Sequence, residues 1–369
     1  MSHKKLTIID LFAGVGGLTY GFYHNKNYKV LAANEILPSM AKAYSLNHPE
    51  VKMYKTDIKN FNINILTKDL GIKEKDIDII VGGPPCQAYS TVGKRMLDDP
   101  RGKLFLEYYR VLNEFKPKFF LFENVKGMLS MQKGELIKEV VELYSSLGYK
   151  VSYKVLNAAD YGAPQIRERV IITGTKLGKE FKYPKPTHYN PEKIQTMKLK
   201  PYLTLADAIS DLPLIGNNSS STSYASPPLN NFQRKMRINA PDKLMDHNSP
   251  KNNSNLVKLM QALPDGGSPK DLPLNLRPKS GFGNTYCRLW WNRPSTTITR
   301  NLGTPSSSRC IHPKDPRPLT TREGARLQCF PDNYQFYGSR GERNLQIGNA
   351  VPTLLSEALA KSIIEHFNN

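Results

Sequence analysis

Short apolar runs alternate with amphipathic segments through the first half of this chain. Six runs rich in β-branched and aromatic residues predict strands, at 6–11, 29–34, 77–81, 119–122, 150–156 and 170–173. Apolar residues at helical spacing predict helices at 39–47, 104–115, 135–147, 321–328 and 353–367. Because strands that alternate with helices are typical of a parallel sheet covered on both faces, we predict an α/β fold.

The amino-acid composition of the chain changes near residue 181. From there to about residue 310 the chain is rich in Pro, Asn and Ser, as in the stretches 183–186, 217–221 and 249–253. Such composition is typical of surface loops. We therefore predict three parts: residues 1–180, a smaller loop-rich domain at 181–310, and residues 311–369, whose last helix returns to the first part.

The charge balance favours a polyanionic partner. The 369 residues include 52 Lys and Arg against 32 Asp and Glu, a net charge of +20 that is spread along most of the chain. This excess is larger than solubility requires, so nucleic acid is favoured over a merely solvated basic surface. An anionic membrane surface would also suit the charge, but the sequence contains no evident basic amphipathic helix.

Cysteine usage and the first residues predict a soluble protein of a reducing compartment, which we expect to be the cytoplasm. The four cysteines are far apart, with no CxxC pair and no histidine-rich spacing around them. Neither a metal site nor a disulfide framework is therefore indicated. The N-terminus enters a strand almost at once, and no apolar stretch reaches membrane-spanning length.

The most informative segment is Gly-Gly-Pro-Pro-Cys-Gln at 82–87, which directly follows the apolar run 77–81. Cys86 would stand at the carboxyl end of a strand, where open α/β sheets bind ligands. The glycines allow a ligand to approach the backbone closely, and the prolines stiffen the exit from the strand. Cys86 is therefore a candidate nucleophile, and the alternative is a buried structural cysteine.

A glycine-rich turn at 10–17 follows the first strand and precedes a predicted helix. Backbone amides at such a helix start would face the carboxyl edge of the sheet and cradle a nucleotide-like cofactor. The dinucleotide fingerprint is absent, since Thr19 stands where its third glycine belongs, and this disfavours NAD. Glu35 closes the second strand, where it can accept hydrogen bonds from ribose hydroxyls, and Asp57 closes the next unit. For either acid, an exposed loop residue is the alternative.

Two further strand ends carry polar side chains. Glu123 follows the aromatic run 119–122, and its carboxyl group is a candidate general acid, because carboxylates rarely end an apolar strand without a partner. Arg167 and Arg169 lie one residue apart at the start of the run 170–173 and are expected to point to the same side. Arg169 can present a planar donor to a carbonyl oxygen, and a solvated basic edge is the alternative.

These motifs, in this order, resemble the DNA (cytosine-5) methyltransferase family, particularly its bacterial restriction-modification members. The matching segments are DLFAGVGG at 10–17, GGPPCQAYS at 82–90, ENV at 123–125, QIRER at 165–169, RPSTTITR at 293–300 and GNAVP at 348–352. The resemblance implies a Rossmann-like, S-adenosylmethionine-dependent catalytic domain in 1–180, completed by 311–369, and a target recognition domain at 181–310. It also implies double-stranded DNA as the partner and a monomer, and it is compatible with a cognate restriction endonuclease that forms no stable complex.

The family mechanism implies roles for these residues. Cytosine is flipped out of the duplex, and the Cys86 thiolate attacks carbon 6 of its ring. Glu123 engages ring nitrogen 3 and the exocyclic amine, Arg169 supports oxygen 2, and Arg167 belongs to the same catalytic motif. Carbon 5 takes the methyl group from S-adenosylmethionine, and loss of its proton with elimination of Cys86 releases the product.

The resemblance also assigns binding residues. Ile36 is a departure, because many relatives carry Trp there, although an aliphatic side chain can still cover the adenine ring. The stretch 90–103 resembles the family's mobile active-site loop. Candidate DNA contacts are Gln87, Ser90, Thr91, Arg288 and Arg293. The residues expected to contact the cofactor are Phe12, Gly14, Val15, Gly16, Gly17, Glu35, Ile36, Asp57, Ile58, Pro85, Leu104 and Asn349.

Three other functions compete with this interpretation. The tRNA-methylating branch shares the catalytic motifs, but its characteristic Cys-Phe-Thr element is absent from this sequence. A catalytically silent DNA-binding relative would have lost the nucleophile, the acid or the glycine turn, and all three are present. A nicotinamide oxidoreductase is disfavoured by Thr19 and has no use for Cys86.

Overall fold

A computed structural model describes residues 4–85, 104–192, 198–281 and 283–368. Its main sheet has seven strands in the order β3-β2-β1-β4-β5-β7-β6. The strands are β1 Leu6–Leu11, β2 Tyr28–Asn34, β3 Lys52–Tyr54, β4 Ile79–Gly82, β5 Phe119–Val125, β6 Lys150–Asn157 and β7 Glu168–Thr175. Neighbours from β3 to β5 are parallel, whereas β7 runs antiparallel to both β5 and β6. The predicted α/β fold is confirmed, and the departure from a wholly parallel sheet is β7.

Helices cover both faces of this sheet because neighbouring strand residues point in opposite directions. On β5, the ring centroid of Phe120 lies 5.3 Å from that of Tyr144, whereas that of Phe119 lies 5.7 Å from that of His366. The helices before the loop-rich region are α1 Tyr20–Tyr23, α2 Pro38–Asn47, α3 Ile63–Leu70, α4 Leu104–Phe115 and α5 Glu135–Ser145. Those within it are α6 Leu205–Ile209, α7 Asn231–Met236 and α8 Ser254–Ala262, and those after it are α9 Thr321–Leu327, α10 Arg340–Asn349 and α11 Thr353–Asn368.

The chain separates into two compact units. The first comprises Met1–Asn157, Glu168–Lys185 and Ser356–Asn369, and the second comprises Ala158–Arg167 and Pro186–Leu355. The first unit contains the main sheet, and its last helix is tied to α1 by a 2.9 Å bond from the Gly21 amide to the Ser356 hydroxyl. The functional boundaries at 181 and 310 stay predictions, since compactness alone does not assign a role.

The second unit is held together largely by loops and short helices, as the Pro-, Asn- and Ser-rich composition predicts. Its only strands among the described residues are β8 His188–Tyr189 and β9 Lys200–Pro201, two residues each. Along the described ranges, no helix combines the length and apolar character needed to cross a bilayer.

Candidate active site

The glycine-rich turn after β1 is shaped by three residues in the left-handed region, Phe12 (φ 55°), Gly14 (φ 57°) and Gly16 (φ 90°). The turn is anchored to the end of β2, because the Ala13 amide donates to the Asn34 carbonyl at 3.0 Å. A Cβ on Gly14 would meet no atom within 4 Å, whereas one on Gly16 would lie 2.4 Å from Cε1 of His48. Gly14 therefore borders open space, and Gly16 lets the buried His48 ring support the turn from below.

The helix predicted after this turn is present but short. α1 has four residues, and three turn residues separate it from Gly16. Val15 and Gly17 are buried within the turn. Since the dipole effect of a helix falls off within its first turn, positioned single amides rather than a long helix shape this site.

Glu35 directly follows β2 and is 8% exposed. Its Oε2 accepts the Gly14 amide and its Oε1 accepts the Leu37 amide, each at 2.9 Å. Burial raises the pKa of Glu35, opposed by the backbone amides of Leu37, Gly14 and Ile36. The carboxylate is thus fixed against the glycine-rich turn, and each of its oxygens keeps a second lone pair for a ligand hydroxyl.

Apolar and polar groups flank Glu35. Ile36 and Leu37 are large hydrophobic side chains with 57% and 43% exposure, an arrangement suited to covering a planar ring. Asp57 is the N-cap of a 3-10 turn, where its Oδ1 accepts the Lys59 amide at 3.0 Å. Ile58 is 3% exposed and packs in the hydrophobic core, which leaves its backbone as the part available to a ligand.

The ends of β4 and β5 meet beside the segment that carries Cys86. Gly82 pairs with Phe122, which places Gly83 against Glu123: a Cβ on Gly83 would lie 2.9 Å from Glu123 Oε2. The buried Asn124 amide donates to the Pro84 carbonyl at 3.0 Å. Cys86, Gln87, Ser90 and Thr91, with the predicted loop 90–103, lie outside the described residues, whereas exposed Pro85 is the last one described before them.

Glu123 and Arg169 form an ion pair, with Arg169 Nε 2.8 Å from Glu123 Oε1. Their side chains are 13% and 11% exposed. The pair follows from the antiparallel register, because Glu123 faces Ile171 and Arg169 is two residues away on the same side of β7. Arg169 also donates to the Glu168 carbonyl at 2.8 Å, which fixes the guanidinium plane.

Arg167 has a different environment. It lies directly before β7 begins, and its bonding partners differ from those of Arg169. Its guanidinium is 1% exposed and donates to the carbonyls of Ile298 at 2.8 Å and Gly348 at 2.9 Å. Arg167 therefore joins three motif segments of the second unit, which indicates a structural role.

The remaining predicted residues are dispersed. Leu104 begins α4 and packs partly buried against the core of the first unit. Asn349 ends α10 in the second unit and is exposed. Arg293 is exposed and lies 3.4 Å from Glu192, in keeping with a surface contact. Arg288 is 5% exposed and donates to the carbonyls of His312, Pro313 and Met260, so its placement indicates structural support rather than a DNA contact.

Sequence reasoning missed a buried arginine cluster around α9. Arg317 donates to both oxygens of Glu323 at 2.8 Å, and Arg326 donates to both oxygens of Asp332 at 2.6 Å. Burial alone would raise the pKa of Glu323, but Arg317, His312 and His247 together outweigh burial and lower the pKa of this acid. The sequence does carry a sign of this cluster. In the stretch 317–332 arginines and acids alternate with apolar residues, and this pattern is not typical of a solvated helix.

Asp10, also missed, is a fully buried acid at the end of β1. Its carboxylate accepts a hydrogen bond from the Thr19 hydroxyl. Burial raises the pKa of Asp10 to about 7, although the Thr19 bond lowers it. Asp10 therefore connects the two ends of the glycine-rich turn from inside the protein.

Comparison with known proteins agrees with this geometry. The family model for C-5 cytosine-specific DNA methylase matches residues 6–365. The Type II methyltransferase M.DdeI of Desulfomicrobium norvegicum is 37% identical, over 99% of this chain and 90% of that protein. The Type II methyltransferase M1.HphI of Haemophilus parahaemolyticus is 33% identical, over 99% of this chain and 88% of that protein.

Solved structures extend the likeness to three dimensions. A prophage-encoded candidate DNA modification methyltransferase of E. coli has a TM-score of 0.77 at 27% identity, covering 99% of this chain and all of that one. The Dnmt2 methyltransferase of S. pombe has a TM-score of 0.63 at 17% identity, which supports the fold alone. With the family model spanning nearly the whole chain, this protein belongs to the C-5 cytosine-specific DNA methylase family.

Proposed function

We propose that the protein methylates carbon 5 of a flipped-out cytosine in duplex DNA, with S-adenosylmethionine as methyl donor and Cys86 as nucleophile. The observation that carries the proposal is the Glu123–Arg169 pair beside Gly83 and Pro84, directly before Cys86. In this proposal the Glu123 carboxyl group and the planar Arg169 guanidinium engage the polar edge of the cytosine that Cys86 attacks.

The residues at the ends of β1 and β2 fit the donor. Open space borders Gly14, the fixed Glu35 carboxylate can accept ribose hydroxyls, and exposed Ile36 can cover the adenine. Asp57 and the Ile58 backbone can meet the adenine edge. When bound, S-adenosylmethionine supplies the electrophilic methyl group for carbon 5.

The chain's own groups carry the remaining chemistry. The Cys86 thiolate forms a bond to carbon 6, and the electrons of the 5,6 double bond shift so that carbon 5 becomes an enamine-like nucleophile. Glu123 delivers a proton to ring nitrogen 3 and accepts a bond from the exocyclic amine, while Arg169 donates to oxygen 2. After methylation, a base removes the proton from carbon 5, the bond to Cys86 breaks, and the proton on nitrogen 3 returns to Glu123.

We propose that sequence choice resides in 181–310 and that the flanking residues 1–180 and 311–369 serve any target. Irregular loops with exposed Arg293 suit phosphate and base contacts, whereas the main sheet carries Glu35 and Glu123. The Type II methyltransferases M.DdeI and M1.HphI support a restriction-modification role. We further propose a cytoplasmic monomer, compatible with a cognate endonuclease that acts on the same site without a stable complex. A tRNA substrate and a silent DNA-binding role are the alternatives.

Bisulfite sequencing of plasmid DNA from cells that express the chain tests the activity and reads out the target. The expected result is full conversion resistance at one cytosine of one short motif, lost in Cys86→Ser. Duplex DNA with 5-fluorocytosine at that position should trap the wild type as a gel-stable adduct and leave Cys86→Ser free. An unmodified plasmid together with methylated tRNA would favour the RNA alternative, and no product with intact DNA binding would favour the silent one.

A further inference from the structure

Lysines line the edge of the main sheet that lies opposite the candidate active site. This amino edge is where the parallel strands begin and where the antiparallel β7 ends. Lys5 precedes β1, Lys29 is the second residue of β2, Lys52 is the first residue of β3, and Lys118 precedes β5. The amino-edge lysines, all exposed and all in the first unit, are Lys5, Lys29, Lys52, Lys75, Lys116, Lys118, Lys150 and Lys176.

Acids neutralise only part of this edge. Lys116 lies 3.3 Å from Glu74, and Lys118 lies 2.8 Å from Asp78. Lys150 pairs more loosely with Glu180, at 3.9 Å. The remaining amino-edge lysines make no ion pair with any residue that the structure describes, which leaves a net positive row across the sheet.

Two adjoining clefts concentrate this charge. One of about 560 Å³ is lined by four lysines and one acid, namely Lys73, Lys75, Lys116, Lys118 and Glu74, together with Ile77. The other, of about 230 Å³, has Lys116 and Lys176 as its charged lining residues. The Lys176 ammonium lies 4.2 Å from the centre of the Tyr149 ring, and its backbone amide bonds to the Lys118 carbonyl at 2.9 Å. Burial lowers the pKa of Lys176, and repulsion from Lys116 lowers it further. An anion between these two ammonium groups would relieve that repulsion.

We infer that the amino edge is a second binding surface for the phosphate backbone of duplex DNA, separate from the substrate duplex. This inference rests on the proposed function only in its choice of DNA as the polyanion that binds. Seven strands spaced about 4.8 Å apart span about 29 Å, which matches one face of about eight base pairs at about 3.4 Å each. Such a surface would hold a neighbouring DNA segment during search and permit direct transfer between segments.

Binding stoichiometry tests this surface without requiring methyl transfer. In analytical ultracentrifugation at low salt with a short labelled duplex of random sequence, the wild type should bind one duplex more than the triple variant Lys75→Glu, Lys116→Glu, Lys176→Glu. The matched control reverses three other exposed lysines of the first unit, Lys42→Glu, Lys138→Glu and Lys154→Glu, and so has the same net charge. The control should keep the wild-type stoichiometry.

Transfer kinetics supply the second readout. Release of the wild type from a labelled duplex should accelerate in proportion to the concentration of unlabelled competitor duplex, whereas release of the amino-edge variant should not. Methylation of a short substrate duplex should stay within about twofold in both variants. Equal stoichiometry in all three proteins, or a clear preference of this edge for single-stranded RNA over duplex DNA, would overturn the inference. A wild-type protein that binds the second duplex but never methylates DNA would contradict only the proposed function.

Discussion

Two carboxylates stand at strand ends of the same sheet edge, and their surroundings differ. Glu35, after β2, is held by two backbone amides, that of Gly14 in the glycine-rich turn and that of Leu37 at the start of α2. Glu123, in β5, is held by the guanidinium of Arg169 on the adjacent strand. The partners of Glu35 are uncharged backbone amides, whereas the partner of Glu123 is a single cationic side chain.

This difference indicates different tasks for the same residue type. Backbone amides cannot move without unfolding the turn, so Glu35 offers a fixed pattern of acceptors that suits binding. A side-chain partner can exchange contacts with a substrate, so Glu123 and Arg169 can each turn to one side of a cytosine while staying neighbours. We therefore propose that Glu35 contributes mainly to cofactor affinity and Glu123 mainly to the rate of the chemical step.

The largest effect should come from Glu123→Gln. The amide can still bond to Arg169 and fill the pocket, but it cannot deliver a proton to nitrogen 3. We expect the single-turnover rate to fall by about 10²- to 10⁴-fold, which is the usual rate enhancement from general acid catalysis. DNA affinity should be almost unchanged. Rapid-quench measurement with excess enzyme checks this.

Glu168→Gln is the matched control for that substitution. Glu168 belongs to the neighbouring strand and pairs with Lys126 at 2.9 Å, but its side chain is 42% exposed. Its loss should leave the rate within about twofold. A rate for Glu123→Gln within a few-fold of the wild type would remove the distinction between the two carboxylates.

The two arginines of the QIRER motif sharpen the comparison next. Arg167→Ala should lower the free energy of unfolding by at least about 3 kcal/mol, because each of its two charge-assisted bonds to buried carbonyls contributes about 1.5 to 3 kcal/mol. Arg169→Ala should instead lower the single-turnover rate at nearly wild-type stability. Urea denaturation alongside the rate assay separates the two, and a stable but inactive Arg167→Ala would return that residue to the catalytic group.

The amphipathic period allowed much of this fold to be predicted. α4 was expected at 104–115 and is observed at Leu104–Phe115, because its buried residues Tyr108, Val111, Leu112 and Phe115 recur at helical spacing. β3 was missed, since the three residues Lys52–Tyr54 are too few to show alternation. The direction of β7 was also hidden, because an apolar run looks the same in a parallel and an antiparallel strand.

The residues of the candidate site were likewise predictable from the sequence only in part. The motifs were enough to place Glu35 and Glu123 near the carboxyl ends of their strands. Because the carboxyl ends of parallel strands lie at one edge of a sheet, both acids could be assigned to that edge. Spacing could not separate Arg167 from Arg169, since their roles depend on where β7 begins and on carbonyls more than a hundred residues away. Long-range hydrogen bonds of that kind leave no local signal.

Glu35→Ala should show the smaller, purely binding effect. Removing the carboxylate leaves ribose donors and the Gly14 amide without an acceptor, a cost of about 1 to 3 kcal/mol, or roughly 5- to 150-fold in the Kd for S-adenosylmethionine. At saturating cofactor the rate should recover, which Glu123→Gln should not do. Calorimetric titration measures the affinity, and Glu139→Ala, an exposed acid on α5, is the control. Unchanged affinity would mean that Glu35 only shapes the turn.

The last prediction concerns stability rather than activity, at Asp10, the buried carboxyl group beneath the turn that Glu35 contacts. The folded-state pKa of Asp10, about 7, lies above its ordinary value of 3.8, so the folded protein prefers the protonated acid. Its contribution to stability is therefore full at low pH and is lost as the pH rises through 7. Asp10→Asn, which keeps an acceptor for Thr19 but carries no charge, should gain stability relative to the wild type by up to about 1.4 kcal/mol per pH unit between pH 4 and 7. Urea denaturation of both proteins at several pH values measures the gap, and a gap that does not grow with pH would show that Asp10 is charged in the folded protein, with Thr19 offsetting the cost of its burial.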